Sequence, residues 1–209
     1  TFKNNIKLIH KKLKLYTDLL YYDNNRNIAF FNDSAKIIHP DFTINSRKGK
    51  YFPDLDQALF IKNVTLNSDS IKLITDTLSY FQKKNKCYFK GKSVVIKDST
   101  TAYCYKGHYN FNSQITSLYK NAQVNTSDFI LYADSIYLND RSEKAEAFFN
   151  VLWSDSVNET NIYSQYANFE KDTTKFNKDV LFFSYAGNDS LFLSSDTLLI
   201  NNNDSIMHF

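Results

Sequence analysis

The sequence predicts an all-β, solenoid-like protein built from stacked antiparallel rungs, and three observations predict it. A six-residue phrase, apolar-x-Leu-x-(Thr/Ala/Ser)-Asp, occurs at residues 13–18, 71–76, 129–134 and 191–196, with its aspartates 58, 58 and 62 residues apart. Each copy continues with alternating apolar groups, so the rows Leu13, Leu15, Leu20, Tyr22; Ile71, Leu73, Leu78, Tyr80; Phe129, Leu131, Ile136, Leu138; and Leu191, Leu193, Leu198, Ile200 share one step pattern of +2, +5, +2. Eighteen Phe and 15 Tyr against one Met suit strands better than long helices, because aromatic side chains pack well across a sheet.

A flat strand keeps one face on even spacings. The odd step of five therefore demands a bend or bulge in each copy, after which both short strands again face one interior. Asp18, Asp76, Asp134 and Asp196 sit inside that bend and read as structural acceptors of backbone N–H groups. Weaker copies lie midway: Gly49-Lys-Tyr51 and Gly107-His-Tyr109 are 58 apart and Ala167-Asn-Phe169 follows 60 later, giving a unit of about 29 residues. Bulky pairs followed by a small or turn-forming residue recur at Phe30-Phe-Asn32, Phe60-Ile-Lys-Asn63, Tyr88-Phe-Lys-Gly91, Leu118-Tyr-Lys-Asn121, Phe148-Phe-Asn150 and Phe182-Phe-Ser184. These read as strand ends entering turns. Such a unit cannot bury its apolar face alone, so residues 1–209 are expected to form a single stacked body, with repeats within 12–200. At the N-terminus, Phe2, Ile6, Ile9 and Leu13 have helical spacing for a short cap, while a strand from Ile6 to Tyr16 competes. At the C-terminus, Asn201–Asp204 reads as a loop, with Ile206–Phe209 beginning another rung.

The formal net charge of +3 is unevenly spread. Residues 1–100 carry 18 Lys or Arg against 9 Asp or Glu, whereas residues 101–209 carry 7 against 13. A basic half and an acidic half favour head-to-tail self-association. No nucleic acid is expected as a partner, since the lysines fall in no reading motif. No stretch approaches a membrane-spanning helix, and no secretory leader is visible. Cys87 and Cys104 flank the turn at residues 97–100, and either a disulfide or two buried thiols fits that placement.

Catalytic chemistry finds no foothold. Paired carboxylates serve glycoside cleavage, but an enzyme needs a departure from the repeat, whereas the four aspartates occupy one equivalent position in every copy. His10, His39, His108 and His208 show no ligand spacing and read as surface or turn residues, so neither metal nor cofactor is expected. Four glycines build no phosphate-cradling loop. What remains is the interior, either a filled core or an apolar groove in which an acyl chain gains about 0.8 kcal/mol per buried methylene.

The phrases Ile74-Thr-Asp-Thr-Leu-Ser-Tyr80, Tyr132-Ala-Asp-Ser-Ile-Tyr137 and Ser194-Ser-Asp-Thr-Leu198, with intervening Tyr88-Phe-Lys-Gly-Lys-Ser-Val-Val-Ile96 and Phe148-Phe-Asn-Val151, resemble the OstA-like family. That family includes the periplasmic lipopolysaccharide-transport proteins LptA and LptC and the N-terminal part of LptD. The resemblance implies an LptA-like open β-jellyroll, or β-taco, that is non-enzymatic and holds lipopolysaccharide or a related lipid in an apolar groove. It implies the periplasm of a Gram-negative cell, export towards the outer membrane, and transport proteins of the same jellyroll as partners. Carried over by position, Leu73, Leu78, Tyr80, Leu131, Ile136, Leu193 and Leu198 face the groove, and the four apolar rows are its expected lining. The chain departs from the family rhythm in placing Asn or Ser where glycine is usual, at Asn32, Asn63, Asn121, Asn150 and Ser184. Two other readings compete: a structural or adhesive β-solenoid with a filled interior, and a carbohydrate-processing β-helix with non-repeating carboxylates in an outer cleft.

Overall fold

In every full rung a strand bends at its middle because its neighbour inserts an extra residue there. The computed structural model describes residues 1–155, 157–186, 189–201 and 206–208. Seventeen strands and two 3₁₀ turns, and no α-helix, occur among them. They fall into two compact units, Thr1–Lys97 with Lys106–Asn112, and Asp98–Tyr105 with Ser113–Phe209. The first unit contains β1 (Phe2–His10), β2 (Leu13–Asp23), β3 (Ile28–Phe31), β4 (Ala35–His39), β5 (Phe42–Ser46), β6 (Lys48–Phe52), β7 (Gln57–Ser68), β8 (Lys72–Phe81) and β9 (Lys86–Lys97). Strand β10 (Thr100–Asn110) is divided between the units. The second contains β11 (Ile115–Asn125), β12 (Ile130–Asn139), β13 (Lys144–Asp155), β14 (Thr160–Phe169), β15 (Thr173–Ala186), β16 (Asp189–Asn201) and β17 (Ile206–His208).

The bulges have one recipe. Asp18 of β2 stands alone between Thr17↔Ile6 and Leu19↔Lys3, facing two residues of β1. Asp76 faces Lys62 and Asn63, Asp134 faces Lys120 and Asn121, and Asp196 faces Lys178 and Asp179 in the same way. Both bulged residues are left-handed each time, with φ of 66° and 52° at Asn4 and Asn5, 67° and 52° at Lys62 and Asn63, 61° and 54° at Lys120 and Asn121, and 67° and 54° at Lys178 and Asp179. These pairs recur every 58 residues. Halfway between them lie Gly91 (φ 93°) and the pair Phe149 and Asn150 (φ 59° and 50°). Asn and Asp hold the second position because their short polar side chains tolerate the left-handed region. The spacing of 62 before the last aspartate also has a place: residues 180–195 of the β15–β16 hairpin are four longer than residues 122–133 of β11–β12, two per strand.

Within the first unit the two halves of a strand join different walls. Strand β2 pairs with β4 through residues 14–17 and with β3 through residues 21–23. Strand β7 pairs with β5 through residues 65–68 and with β6 through residues 57–61. The walls face one another, since Phe42 of β5 packs edge-on against Tyr80 of β8 at 4.8 Å. In the second unit Phe129, next to the wall containing residues 130–132, stacks at 6.0 Å on Phe169 of the wall containing residues 166–169. Each unit is thus a folded antiparallel sheet whose apolar face is turned inward, the open jellyroll geometry.

Several local expectations change. Asn63, Gly91, Asn121 and Asn150 are not strand ends but bulges inside continuous strands, and the Phe182-Phe-Ser184 segment lies within β15. A left-handed residue looks alike in sequence whether it turns a hairpin or bulges a ladder. Asn32 alone of that series follows a true strand end, at β3. The N-terminus forms neither a capping helix nor one strand, but the hairpin β1–β2, turning at Lys11 with φ 52°. Cys87 and Cys104 are buried and form no disulfide. The loop expected at Asn201–Asp204 lies largely outside the described residues, as do Gly187 and Phe209, while Ile206–His208 pairs as β17 with β16.

Gly91 tests the recipe. A Cβ there would come within 2.3 Å of Asp76 Oδ2 at a positive φ, so Gly91→Ala is expected to destabilise by about 1–3 kcal/mol, whereas Asn63→Gly should change stability by less than about 1 kcal/mol. Urea unfolding midpoints of the two variants check this directly.

Candidate functional site

The aspartates are exposed and lie on the outer side of the bends. Asp18 Oδ1 accepts the Asn5 N–H at 3.3 Å, Asp76 Oδ2 accepts the Lys92 N–H at 3.1 Å, and Asp134 Oδ2 accepts from Asn150 Nδ2 at 3.0 Å. Asp18 and Asp76 thus satisfy backbone donors at bulges, and Asp134 ties down the side chain of a bulge residue. The residue before each aspartate faces inward, and in three of the four copies it is a hydroxyl that meets a carbonyl: Thr17 Oγ1 donates to Ser34 O, Thr75 Oγ1 to Lys90 O and Ser195 Oγ to Thr197 O, while the fourth is Ala133. A narrow polar seam therefore lines the bottom of an otherwise apolar interior.

The sixteen apolar positions divide by depth. Leu13, Leu15, Leu20, Ile71, Leu73, Leu78, Tyr80, Leu131, Ile136 and Leu198 are buried. Phe129, Leu138, Leu193 and Ile200 are half-buried, while Tyr22 and Leu191 are exposed, at 43% and 52%. Tyr22 lies near the end of β2, where its hydroxyl bonds Asn27, and Leu191 lies in the lengthened part of the β15–β16 hairpin. The interior of the first unit is nearly full. Its cavity between Leu8, Leu13, Leu15, Phe31, Ile37 and Phe60 measures about 20 Å³, the space of about one water.

The rims close over this interior. In the first unit Phe42, Tyr80 and Phe111 form an aromatic cluster with centroids 4.7–6.2 Å apart, and His39 stacks on Phe42 at 4.6 Å. His39, read from sequence as a turn or surface residue, is buried, and that burial lowers its pKa against the opposing pull of Asp41. Tyr80 Oη donates to Asn85 Oδ1 at 3.0 Å, and Asn85 Nδ2 reaches Asp41 Oδ2 at 3.2 Å and Asn112 Oδ1 at 2.9 Å, so the aromatic cluster carries a polar strap from one wall to the other. In the second unit Phe129, Trp153, Phe169 and Phe176 form the corresponding cluster.

The rim turns share a second recipe. Asn27, Asp56, Asn85, Gln114 and Glu143 are all left-handed and follow one another at 29 residues. Within the units the carbonyls of Asp56, Asn85 and Gln114 accept the N–H groups of Gln82, Phe111 and Asp140 at 2.9–3.1 Å. Asp56 alone in this series buries a carboxylate. Its side chain is 4% exposed, hydrogen-bonded to Lys11 and 3.4 Å from Lys83. The Lys11 hydrogen bond holds its carboxyl below the usual range, outweighing burial, with the charges of Lys11 and Lys83 adding to the same effect. Sequence reading missed this group because Lys11 and Lys83 lie 45 and 27 residues away, and no local pattern marks the pairing.

Residues 1–76 match the family model described as OstA-like protein. No curated protein matches the chain. Among solved structures it is similar to LptH, described as the LptA-homologous periplasmic component of the lipopolysaccharide transport device from Pseudomonas aeruginosa, at 16% identity and a TM-score of 0.49, over 51% of this chain and 81% of that one. The matched residues end at the second aspartate and include Lys11 and Asp56 of the rim cluster.

Two outcomes follow. Leu78→Asp or Ile136→Asp buries a carboxylate with no partner and should lower stability by more than about 3 kcal/mol, while Asp76→Asn, which keeps an acceptor, should lower it by about 1 kcal/mol or less. Chemical unfolding separates the two classes. Because the native pKa of Asp56 is depressed, its stabilisation is complete above about pH 4 and lost as pH falls through the native value; His39, neutral when buried, adds to the acid loss from about pH 6.5 downward. Asp56→Asn should therefore flatten the acid limb of a stability–pH curve below about pH 4.

Proposed function

We infer that the chain is a non-enzymatic carrier that takes acyl chains of lipopolysaccharide or a related lipid between its walls in the periplasm of a Gram-negative cell, for export to the outer membrane. The observation that carries this reading is the mid-strand bend, which turns the apolar rows of both walls onto one interior, in a chain whose first 76 residues are OstA-like. A folded sheet of this kind differs from a closed barrel in that its walls join only along the bends, so that separating the rims exposes a continuous apolar trough. Transport proteins of the same jellyroll are its partners in this reading, and head-to-tail association of its own copies is consistent with the unequal charge of its halves.

The aromatic rims and the nearly filled interior favour one competing reading, a structural solenoid that holds no lipid. Photo-crosslinkers decide between the two. Probes at Leu78, Ile136 and Leu198 should capture labelled lipopolysaccharide, while probes at Lys72 and Ile130, which alternate with the inward row, should not. Equal or absent capture from all five sites would select the structural reading.

A further inference from the structure

The cavity of the first unit ends, at the rim, on polar atoms that no described residue satisfies. Tyr51, 7% exposed, lines the cavity, and its Oη makes no hydrogen bond; His10 Nε2, also buried, makes none. The two rings lie 5.4 Å apart. His10 Nε2 lies 3.6 Å from Asp56 Oδ1, which ties the unsatisfied pair to the buried carboxylate and its two lysines. The negative charge of Asp56 next to Tyr51 adds to burial in pushing the phenol up to about 12, so Tyr51 is a hydrogen-bond donor at any ordinary pH. Apolar walls, two unsatisfied polar atoms and two ammonium groups around one carboxylate therefore meet at one place.

We propose that this rim cluster is the headgroup site for an anionic amphiphile bearing a phosphate monoester. It rests on the acyl-carrier reading and names what that interior would select. The cluster carries two lysines against one carboxylate. In the empty protein Asp56 occupies the position of the anion. A phosphate entering with its tail in the cavity accepts hydrogen bonds from Lys11, Lys83 and the Tyr51 hydroxyl, and Asp56 turns out to solvent. Lysine suits this exchange, because its ammonium is a mobile point charge that can follow either anion. The same exchange loosens the rim: Lys11 belongs to the β1–β2 turn on one wall and Asp56 to the turn after β6 on the other, so breaking their bond frees the walls to part around a tail that a 20 Å³ cavity does not admit.

Calorimetric titration of the full chain with monomeric dodecyl phosphate, dodecyl maltoside and inorganic phosphate tests the site. Dodecyl phosphate should bind more tightly than dodecyl maltoside, and inorganic phosphate alone should bind weakly or not at all. Asp56→Asn, which removes the competing charge, should tighten dodecyl phosphate about tenfold; Lys11→Gln and Lys83→Gln should each weaken it about tenfold; and Tyr51→Phe should weaken it several-fold without changing the melting temperature by more than about 2 °C. None of the four should move dodecyl maltoside affinity more than about twofold. If both amphiphiles bind but the variants do not separate them, the headgroup site is wrong and the carrier reading stands. If neither amphiphile binds, both fall. Inorganic phosphate binding as tightly as dodecyl phosphate would overturn the amphiphile assignment in favour of a simple anion site.

Discussion

The whole arrangement depends on the bulge that faces each aspartate. The strand with the extra residue keeps its inward positions on even spacings, as Ala58, Phe60, Val64 and Leu66 do in β7, while the aspartate strand opposite reverses its alternation by an odd step, from Leu73 and Thr75 to Leu78 and Tyr80 in β8. Here the reversal is combined with a bend, so the two halves of a strand, now in different walls, both direct leucine, isoleucine and tyrosine inward. The backbone groups displaced from the ladder are met from both sides of the sheet, by the carboxylates of Asp18 and Asp76 outside and by the hydroxyls of Thr17, Thr75 and Ser195 inside. Without that satisfaction, each bend would leave buried polar groups at the bottom of an apolar interior.

The interior and the rim place opposite demands on the structure. On the proposed carrier function the walls have to part, yet an isolated folded sheet must shield its apolar rows from water. The first unit meets both demands with contacts that are strong but separable: an aromatic cluster strapped by Asn85, and an ion cluster around Asp56. Hydrogen bonds between successive rim turns run along each wall rather than across the mouth, as in Gln82 N–H to Asp56 O, so they need not break when the walls move apart.

Much of this was legible in the sequence because the period-two alternation and the odd step of five are both local. The +2, +5, +2 pattern located the bends within a residue or two, and the OstA-like phrases pointed to the open jellyroll. The strand carrying the extra residue is not marked in the sequence: Asn63 and Asn121 read as turns, although their left-handed conformation serves a bulge. The rim cluster was not legible at all, because it depends on three residues brought together only by the register of β1–β2, β6–β7 and β8–β9. His39 was misjudged for a related reason, its burial being supplied by Phe42 and Tyr80 from elsewhere in the fold.

The four additional residues of the β15–β16 hairpin show what kind of length change such an architecture accepts. Two residues were added to each strand, at the end remote from the bend, so every side chain from Val180 and Ser195 back to the bulge keeps its original orientation. An addition of one residue per strand would also keep the pairing but would exchange the faces offered at the hairpin tip, and a single residue added next to the bend would invert half a wall. Parity thus limits how such an architecture can change size: a wall can lengthen at its rim in steps of two without disturbing the faces nearer the bend, and the depth of the trough can vary from rung to rung while the bends stay at their fixed interval.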